Sequence, residues 1–224
     1  MATLPATDLR HNVLTLAVPT DRLPSVGFGM RSLLPAEDFD PDFQGQYLQT
    51  TYFDTPNFDL RTARLKKDKY LTLRIRCYAP SQRPGRTYPA GTYALSLKTE
   101  AGKYRVELSS PFAEDLLQYG IDGPEGLNYL PGDFLARYLD LVDDQPLRPV
   151  VTICFTRYAV ESTTDRLTLD VQIHTSTGKA FPSSVLEVKT TSQPYEPLPE
   201  VLRWGLSPLR LSKFLWATTT GDRP

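Results

Sequence analysis

The sequence predicts an α+β fold built on a mostly antiparallel sheet, and three observations predict it. Eight segments between His11 and Thr190 alternate apolar and polar residues at the two-residue period of a strand. Stretches with helical apolar spacing lie between those segments or follow them. No linker rich in Pro, Gly or Ser separates the two kinds, so one domain over residues 1–224 is expected.

The elements follow in order. His11–Val18 (HNVLTLAV) reads as a first strand closed by Pro19. Residues 20–46 are rich in Pro, Gly and Asp and give weak signals, with Asp38–Gly45 expected as loop. Gly45–Asp54 reads as strand, ended by the turn chemistry of Asp54-Thr-Pro-Asn. Phe58–Lys66 fits a short helical turn or an irregular edge. Residues 70–78 form the sharpest strand, with Leu71, Leu73, Ile75 and Cys77 on one face and Thr72, Arg74, Arg76 and Tyr78 on the other. A Pro- and Gly-rich loop follows.

Residues 92–98 set Ala94, Ser96 and Lys98 against Tyr93, Leu95 and Leu97. The break Thr99-Glu-Ala-Gly102 predicts a hairpin to residues 103–109, which set Lys103, Arg105 and Glu107 against Tyr104, Val106 and Leu108. Phe112–Ile121 and Pro124–Val142 have helical spacing. Strands resume at Val150–Val160, where Arg157 shares a side with Ile153 and Phe155. Arg166–Ile173 sets Arg166, Thr168, Asp170 and Gln172 against Leu167, Leu169, Val171 and Ile173. Val185–Thr190 sets Glu187 and Lys189 against Leu186 and Val188. Pro197–Ala217 reads as one or two amphipathic helices interrupted near Gly205–Pro208.

Composition excludes several function classes. At 224 residues and 40% hydrophobic content the chain can bury one large core or two small ones. A net charge of −1 gives no global basic field, so nonspecific nucleic-acid binding is not expected. No stretch reaches the ~18 apolar residues of a membrane span, and the N-terminus shows no secretion signal. Two isolated cysteines, Cys77 and Cys154, lie in strand-like segments and suit a reducing cytoplasm. Only two histidines are present, which removes any multi-histidine metal site.

The polar strand faces carry the functional signal. They collect Arg74, Arg76, Lys98, Lys103, Arg105, Glu107, Arg157, Arg166, Asp170, Glu187 and Lys189, of which eight are basic and three acidic. Arg and Lys grip phosphate oxygens through charge-assisted hydrogen bonds. Two arrangements fit the periodicity equally. One is an open sheet with a solvated basic face; the other is a closed barrel with helices outside and a hydrated, cation-lined lumen.

The motifs Tyr52-Phe-Asp-Thr55, Leu73-Arg-Ile-Arg76, Leu97-Lys98, Lys103-Tyr-Arg105, Arg157-Tyr158, Arg166-Leu-Thr-Leu-Asp170, Leu186-Glu-Val-Lys189 and Ser212-Lys-Phe214 occur in that order. In this the chain resembles VTC domains, the polyphosphate-polymerase branch of the triphosphate tunnel metalloenzymes or CYTH superfamily. The resemblance covers residues 47–215 and rests on the order of eight short motifs. It implies a closed antiparallel β-barrel tunnel of about eight strands with helices packed on the outside. It also implies ATP and polyphosphate as ligands, with Mn²⁺ or Mg²⁺ as cofactor.

Carried over position by position, the resemblance makes Arg74, Arg76, Lys98, Lys103, Arg105, Arg157, Arg166, Lys189 and Lys213 phosphate contacts. Arg74, Arg76, Lys98, Arg157, Arg166 and Lys213 would serve the transfer itself, and Glu187 would hold the metal. Asp170 is a second choice for metal or a partner of Arg166 and its neighbours. Tyr52 and Asp54 are expected to shape the turn after their strand. Relatives of this kind work in membrane complexes, so a membrane-protein partner fits although the chain carries no span of its own.

One departure stands out. The family's first strand carries a Glu-x-Lys pair ahead of Val-Pro, and Arg10–Pro19 occupies that place here, with Asn12 and Leu14 at the paired positions. Three functions therefore stay open: a polyphosphate polymerase using ATP, a triphosphate hydrolase, and a catalytically impaired polyphosphate- or nucleotide-binding module.

Overall fold

The computed structural model describes residues 12–37, 40, 42–66, 72–78, 92–99, 102–121, 146–191, 198–209 and 212–219. Among the described residues there are nine strands and several short helices. The strands are β1 (Asn12–Val18), β2 (Gln46–Asp54), β3 (Thr72–Tyr78), β4 (Thr92–Thr99), β5 (Gly102–Leu108), β6 (Arg148–Glu161), β7 (Asp165–Thr175), β8 (Ser184–Thr190) and the two-residue β9 (Ser207–Pro208). The helices are α1 (Leu23–Leu33), α2 (Asp59–Lys66), α3 (Ser110–Tyr119), α4 (Pro199–Arg203) and α5 (Lys213–Thr219). The expected helix over Pro124–Val142 and the loop after Tyr78 fall outside the described residues.

Hydrogen bonding orders the strands β5-β4-β3-β2-β6-β7-β8-β1-β9. Among the described residues this is the mostly antiparallel sheet that was expected, a ladder running from β5 to β9. The terminal strand is short. It pairs only Leu16↔Pro208 and Ala17↔Ser207 with β1, and one of its two residues is a proline, which has no N–H to donate.

Two compact units make up the chain. The first takes in Gln49–Ile153 and Phe214–Pro224. Its core joins Phe53 of β2, Leu73 and Ile75 of β3, Leu95 and Leu97 of β4, and Val106 and Leu108 of β5 beneath Leu60 of α2 and Ala113 and Leu116 of α3. These are the apolar faces of the alternating strands, each large side chain contributing roughly 1.5–3 kcal/mol by leaving water. Asp54 fixes the approach of α2. Its buried carboxylate accepts the N–H groups of Thr55, Leu60 and Arg61 at 2.8–2.9 Å, while the Thr55 hydroxyl accepts that of Asp59. The structural role expected for Asp54 is therefore borne out. Gly120 ends α3 at φ 81, where a Cβ would lie 2.4 Å from the Leu147 carbonyl oxygen.

The second unit takes in Leu9–Leu48 and Cys154–Lys213. Leu16 and Val18 of β1, Val160 of β6, Leu167 and Leu169 of β7, and Leu186 and Val188 of β8 pack with Val26 and Met30 of α1 and Val201 of α4. Helix α1 has no counterpart in the sequence reading, because Pro24, Gly27 and Gly29 dilute its periodicity. Gly29 is needed there, since a Cβ would come within 2.5 Å of the Trp204 ring.

In this unit β1 and β7 flank β8. The register pairs Leu14↔Val188, Thr15↔Glu187 and Val13↔Lys189 on one side, and Thr168↔Glu187 and Arg166↔Lys189 on the other. Leu14 packs on the apolar core. It cannot stand in for a lumen lysine, and the β1 positions that share a face with Glu187 are Val13, Thr15 and Ala17. The β7–β8 ladder ends at Asp170, and Gln172 follows at φ 53, so Gln172 leaves the polar row in which it was expected.

Candidate functional site

Each unit carries a polar face, and the two differ in how their cations are matched. In the first unit β4 runs between β3 and β5, and the register builds three cross-strand rows: Thr72–Lys98–Lys103, Arg74–Ser96–Arg105 and Arg76–Ala94–Glu107. Directly paired residues share a face, so Arg74, Arg76, Lys98, Lys103 and Arg105 lie together as expected, with Glu107 exposed at one edge. The central strand contributes the small, buried side chains Ala94 and Ser96. The result is a narrow floor flanked by guanidinium groups.

Hydrogen bonding within these rows is incomplete. Arg76 donates from Nε to Thr50 Oγ1 at 3.1 Å, and Arg64 donates to Thr72 Oγ1 at 2.9 Å. Arg105 stacks its guanidinium 5.2 Å from the Tyr78 ring centroid. The Nε–H groups of both Arg74 and Arg105 are buried and make no hydrogen bond. Buried donors are nearly always satisfied. Two unsatisfied ones on a row of like charges are what a site for anionic oxygens provides.

The second unit assembles a different group. Arg157 of β6 donates to both oxygens of Asp170 on β7, Nε to Oδ1 at 2.6 Å and Nη2 to Oδ2 at 2.7 Å. Lys213, the first residue of α5, also donates to Asp170 Oδ2 and lies 3.8 Å from Glu187 Oε1. Beneath this cluster the Arg157 guanidinium and the Lys213 ammonium sit 5.3 and 5.1 Å from the Phe155 ring centroid. Asp170 is wholly buried, which by itself would raise its pKa. The attraction of Arg157 and Lys213 outweighs that and holds the carboxyl below its ordinary 3.8. Asp170 is therefore a partner for two of the expected phosphate contacts, and Arg166 takes other carboxylates.

Arg166 forms an ion pair with Glu37 and lies 3.7 Å from Glu161 Oε2. Glu37 is brought there by the segment after α1, where Ala36 bridges Val160 and the Glu37 N–H donates to the Ala159 carbonyl oxygen. Burial pushes the Glu37 carboxyl above its ordinary range against the pull of Arg166, and Oε2 has no partner. Glu37 and Glu161 gave no sequence signal, since their partnership with Arg166 depends on the fold. Lys189 lies directly opposite Arg166 and is half-buried.

Among the described residues no group of three His, Cys, Asp or Glu side chains could hold a metal alone. Glu187 is half-buried in a row between Thr15 and Thr168. Thr168 is 2% exposed, and its buried hydroxyl has no hydrogen-bond partner. One carboxylate beside an unclaimed buried oxygen suits a hard divalent cation that draws its other ligands from phosphate and water. Cys77 and Cys154 are both free thiols.

An antiparallel sheet, apolar faces under helices and an arginine-lined row define the class: an α+β protein with a cation-bearing sheet face. The chain matches the VTC domain family over residues 14–220 and belongs to it. Among solved structures, a provisionally assigned adenylate cyclase from Bacillus halodurans is similar at 18% identity and a TM-score of 0.62, over 93% of this chain and 96% of that one. A provisionally assigned adenylyl cyclase from Hippeastrum, described as having a dominant triphosphatase activity, is similar at 18% identity and a TM-score of 0.57, over 95% and 97%. Comparison with curated proteins found no match.

Proposed function

We propose that this chain is a polyphosphate polymerase that transfers the γ-phosphoryl group of ATP to a polyphosphate chain. One observation carries the reading: Arg74 and Arg105 flank the small Ser96 with buried, unsatisfied Nε–H donors. Such an array suits the repeating oxygens of a linear polyanion. Arg76, Lys98 and Lys103, on the neighbouring rows, would extend the grip along β4. A terminal polyphosphate oxygen would form a bond to the γ-phosphorus while the bond to the β-phosphate oxygen breaks and ADP leaves. Phosphoryl transfer asks the protein mainly for in-line positioning and neutralisation of spread charge, and no covalent nucleophile is needed.

Arg157, Arg166, Lys189 and Lys213 are proposed as further phosphate contacts, released in part from Asp170 and Glu37 when a stronger anion arrives. Mn²⁺ or Mg²⁺ would be held at Glu187. When bound, such an ion neutralises charge on the phosphate oxygens.

A second reading has its own support. β1 presents Val13, Thr15 and Ala17 on the polar side, with neither carboxylate nor cation, and Arg157, Arg166 and Lys213 already face acids. That favours a module that binds polyphosphate without turning it over. Incubating the purified protein with ATP and Mn²⁺ separates the readings. ADP with long polyphosphate supports the polymerase. Orthophosphate alone points to a triphosphatase, and tight polyphosphate binding without products to the binding module.

A further inference from the structure

Thr168 sits in the middle of β7 with a hydroxyl that has no hydrogen-bond partner among the described residues. The residue is 2% exposed, and its Oγ1 is buried without a partner. Valine would fill the same volume in a strand without burying a polar atom, so the hydroxyl weakens the empty fold. The register explains what surrounds it. Thr168 lies directly opposite Glu187 on β8, and Glu187 lies directly opposite Thr15 on β1. Three oxygen-bearing side chains thus form one row on one face of the sheet. Two residues along β7, Asp170 has both oxygens claimed by Arg157 and Lys213.

A divalent ion such as Mg²⁺ or Mn²⁺ takes about six oxygen ligands, and in phosphate-handling sites one or two carboxylates suffice because phosphate and water supply the rest. Resting on the polyphosphate reading above, we propose that Thr168 is a cation-binding residue. Its hydroxyl oxygen joins the Glu187 carboxylate, with Thr15 on the far side, in a seat completed only when phosphate oxygens arrive. Cation and polyanion then bind cooperatively, each raising the affinity of the other by the same factor.

The test titrates Mn²⁺ into the wild-type chain, Thr168→Val and Thr168→Ser, with and without tripolyphosphate, reading free Mn²⁺ by electron paramagnetic resonance and the Tm of each metal-free protein. Wild type should bind Mn²⁺ at least about tenfold more tightly when tripolyphosphate is present. Thr168→Val should lose about tenfold or more of that tripolyphosphate-dependent affinity. Its metal-free Tm should be unchanged or a few degrees higher, since an unsatisfied hydroxyl has gone. Thr168→Ser should recover most of the Mn²⁺ affinity. Wild-type Mn²⁺ binding by Thr168→Val overturns the proposal. So does a Thr168→Val chain that unfolds or melts lower, because the hydroxyl would then be structural. A wild-type chain that binds no tripolyphosphate overturns the polyphosphate reading and this proposal together. That failure appears in the wild type alone, before any variant is compared.

Discussion

Arg74 and Arg105 stand on one row two strands apart, with Ser96 of β4 between them and neither Nε–H satisfied. Removing either side chain leaves no partner unpaired at that atom, so function and stability should separate cleanly. Arg74→Ala with Arg105→Ala should lower polyphosphate affinity by about 100-fold or more, at 1.5–3 kcal/mol for each charge-assisted contact, while Tm stays within a few degrees. Calorimetric binding of polyphosphate alongside thermal unfolding checks both halves. Unchanged affinity would sink the phosphate site on this face.

Asp170 should behave in the opposite way. It is wholly buried and is the shared counter-ion of Arg157 and Lys213, so Asp170→Asn leaves both cations over the Phe155 ring without it. Breaking one side of a buried ion pair typically costs about 3–5 kcal/mol. Denaturant unfolding should show a loss of that order. A loss below about 1 kcal/mol would mean the cluster is solvated.

The same carboxyl gives a pH dependence. Its folded-state pKa lies below 3.8, so around and below that value the unfolded chain binds more protons than the folded one. The stability it contributes is therefore present above pH 3.8 and drains away as pH falls through the folded value. Stability measured from pH 5 downward should fall more steeply in wild type than in Asp170→Asn. Parallel profiles would contradict the pairing.

Glu37 is the internal competitor for Arg166. Glu37→Gln keeps the shape and removes the charge, so Arg166 should turn more readily to an added anion. Polyphosphate affinity should rise by about two- to tenfold, equivalent to 1.4 kcal/mol or less. The same calorimetric titration reads it, and a fall in affinity would show that Arg166 needs Glu37 to hold its pose.

Much of this architecture was legible because strands advertise their faces. The alternation of Leu73 with Arg74 and of Leu95 with Ser96 assigned the core and polar sides correctly, and the hairpin before Lys103 put the rows in register. Closure was not legible, because it depends on whether the terminal strands pair, and alternation within a strand says nothing of that. Helix α1 was hidden by Pro24, Gly27 and Gly29, which weaken a helical pattern though the packing against Trp204 requires a small residue. The acids that face Arg166 were hidden for another reason. Glu37 lies 129 residues from Arg166 in the chain, and a charge in a loop carries no sign of the partner it will meet. The first strand shows how a one-residue offset misleads: Leu14 looked like a replaced lysine, yet its side chain belongs to the core.

The pairing of Arg157, Arg166 and Lys213 with carboxylates has a consequence for ionic strength. Close, buried pairs are little affected by mobile ions, whereas the unsatisfied Nε–H groups of Arg74 and Arg105 would meet polyphosphate in competition with whatever anions the solution supplies. Raising potassium chloride should therefore weaken polyphosphate capture long before it loosens the protein, and the slope of that loss should track the β3–β5 arginines rather than Arg157 or Lys213.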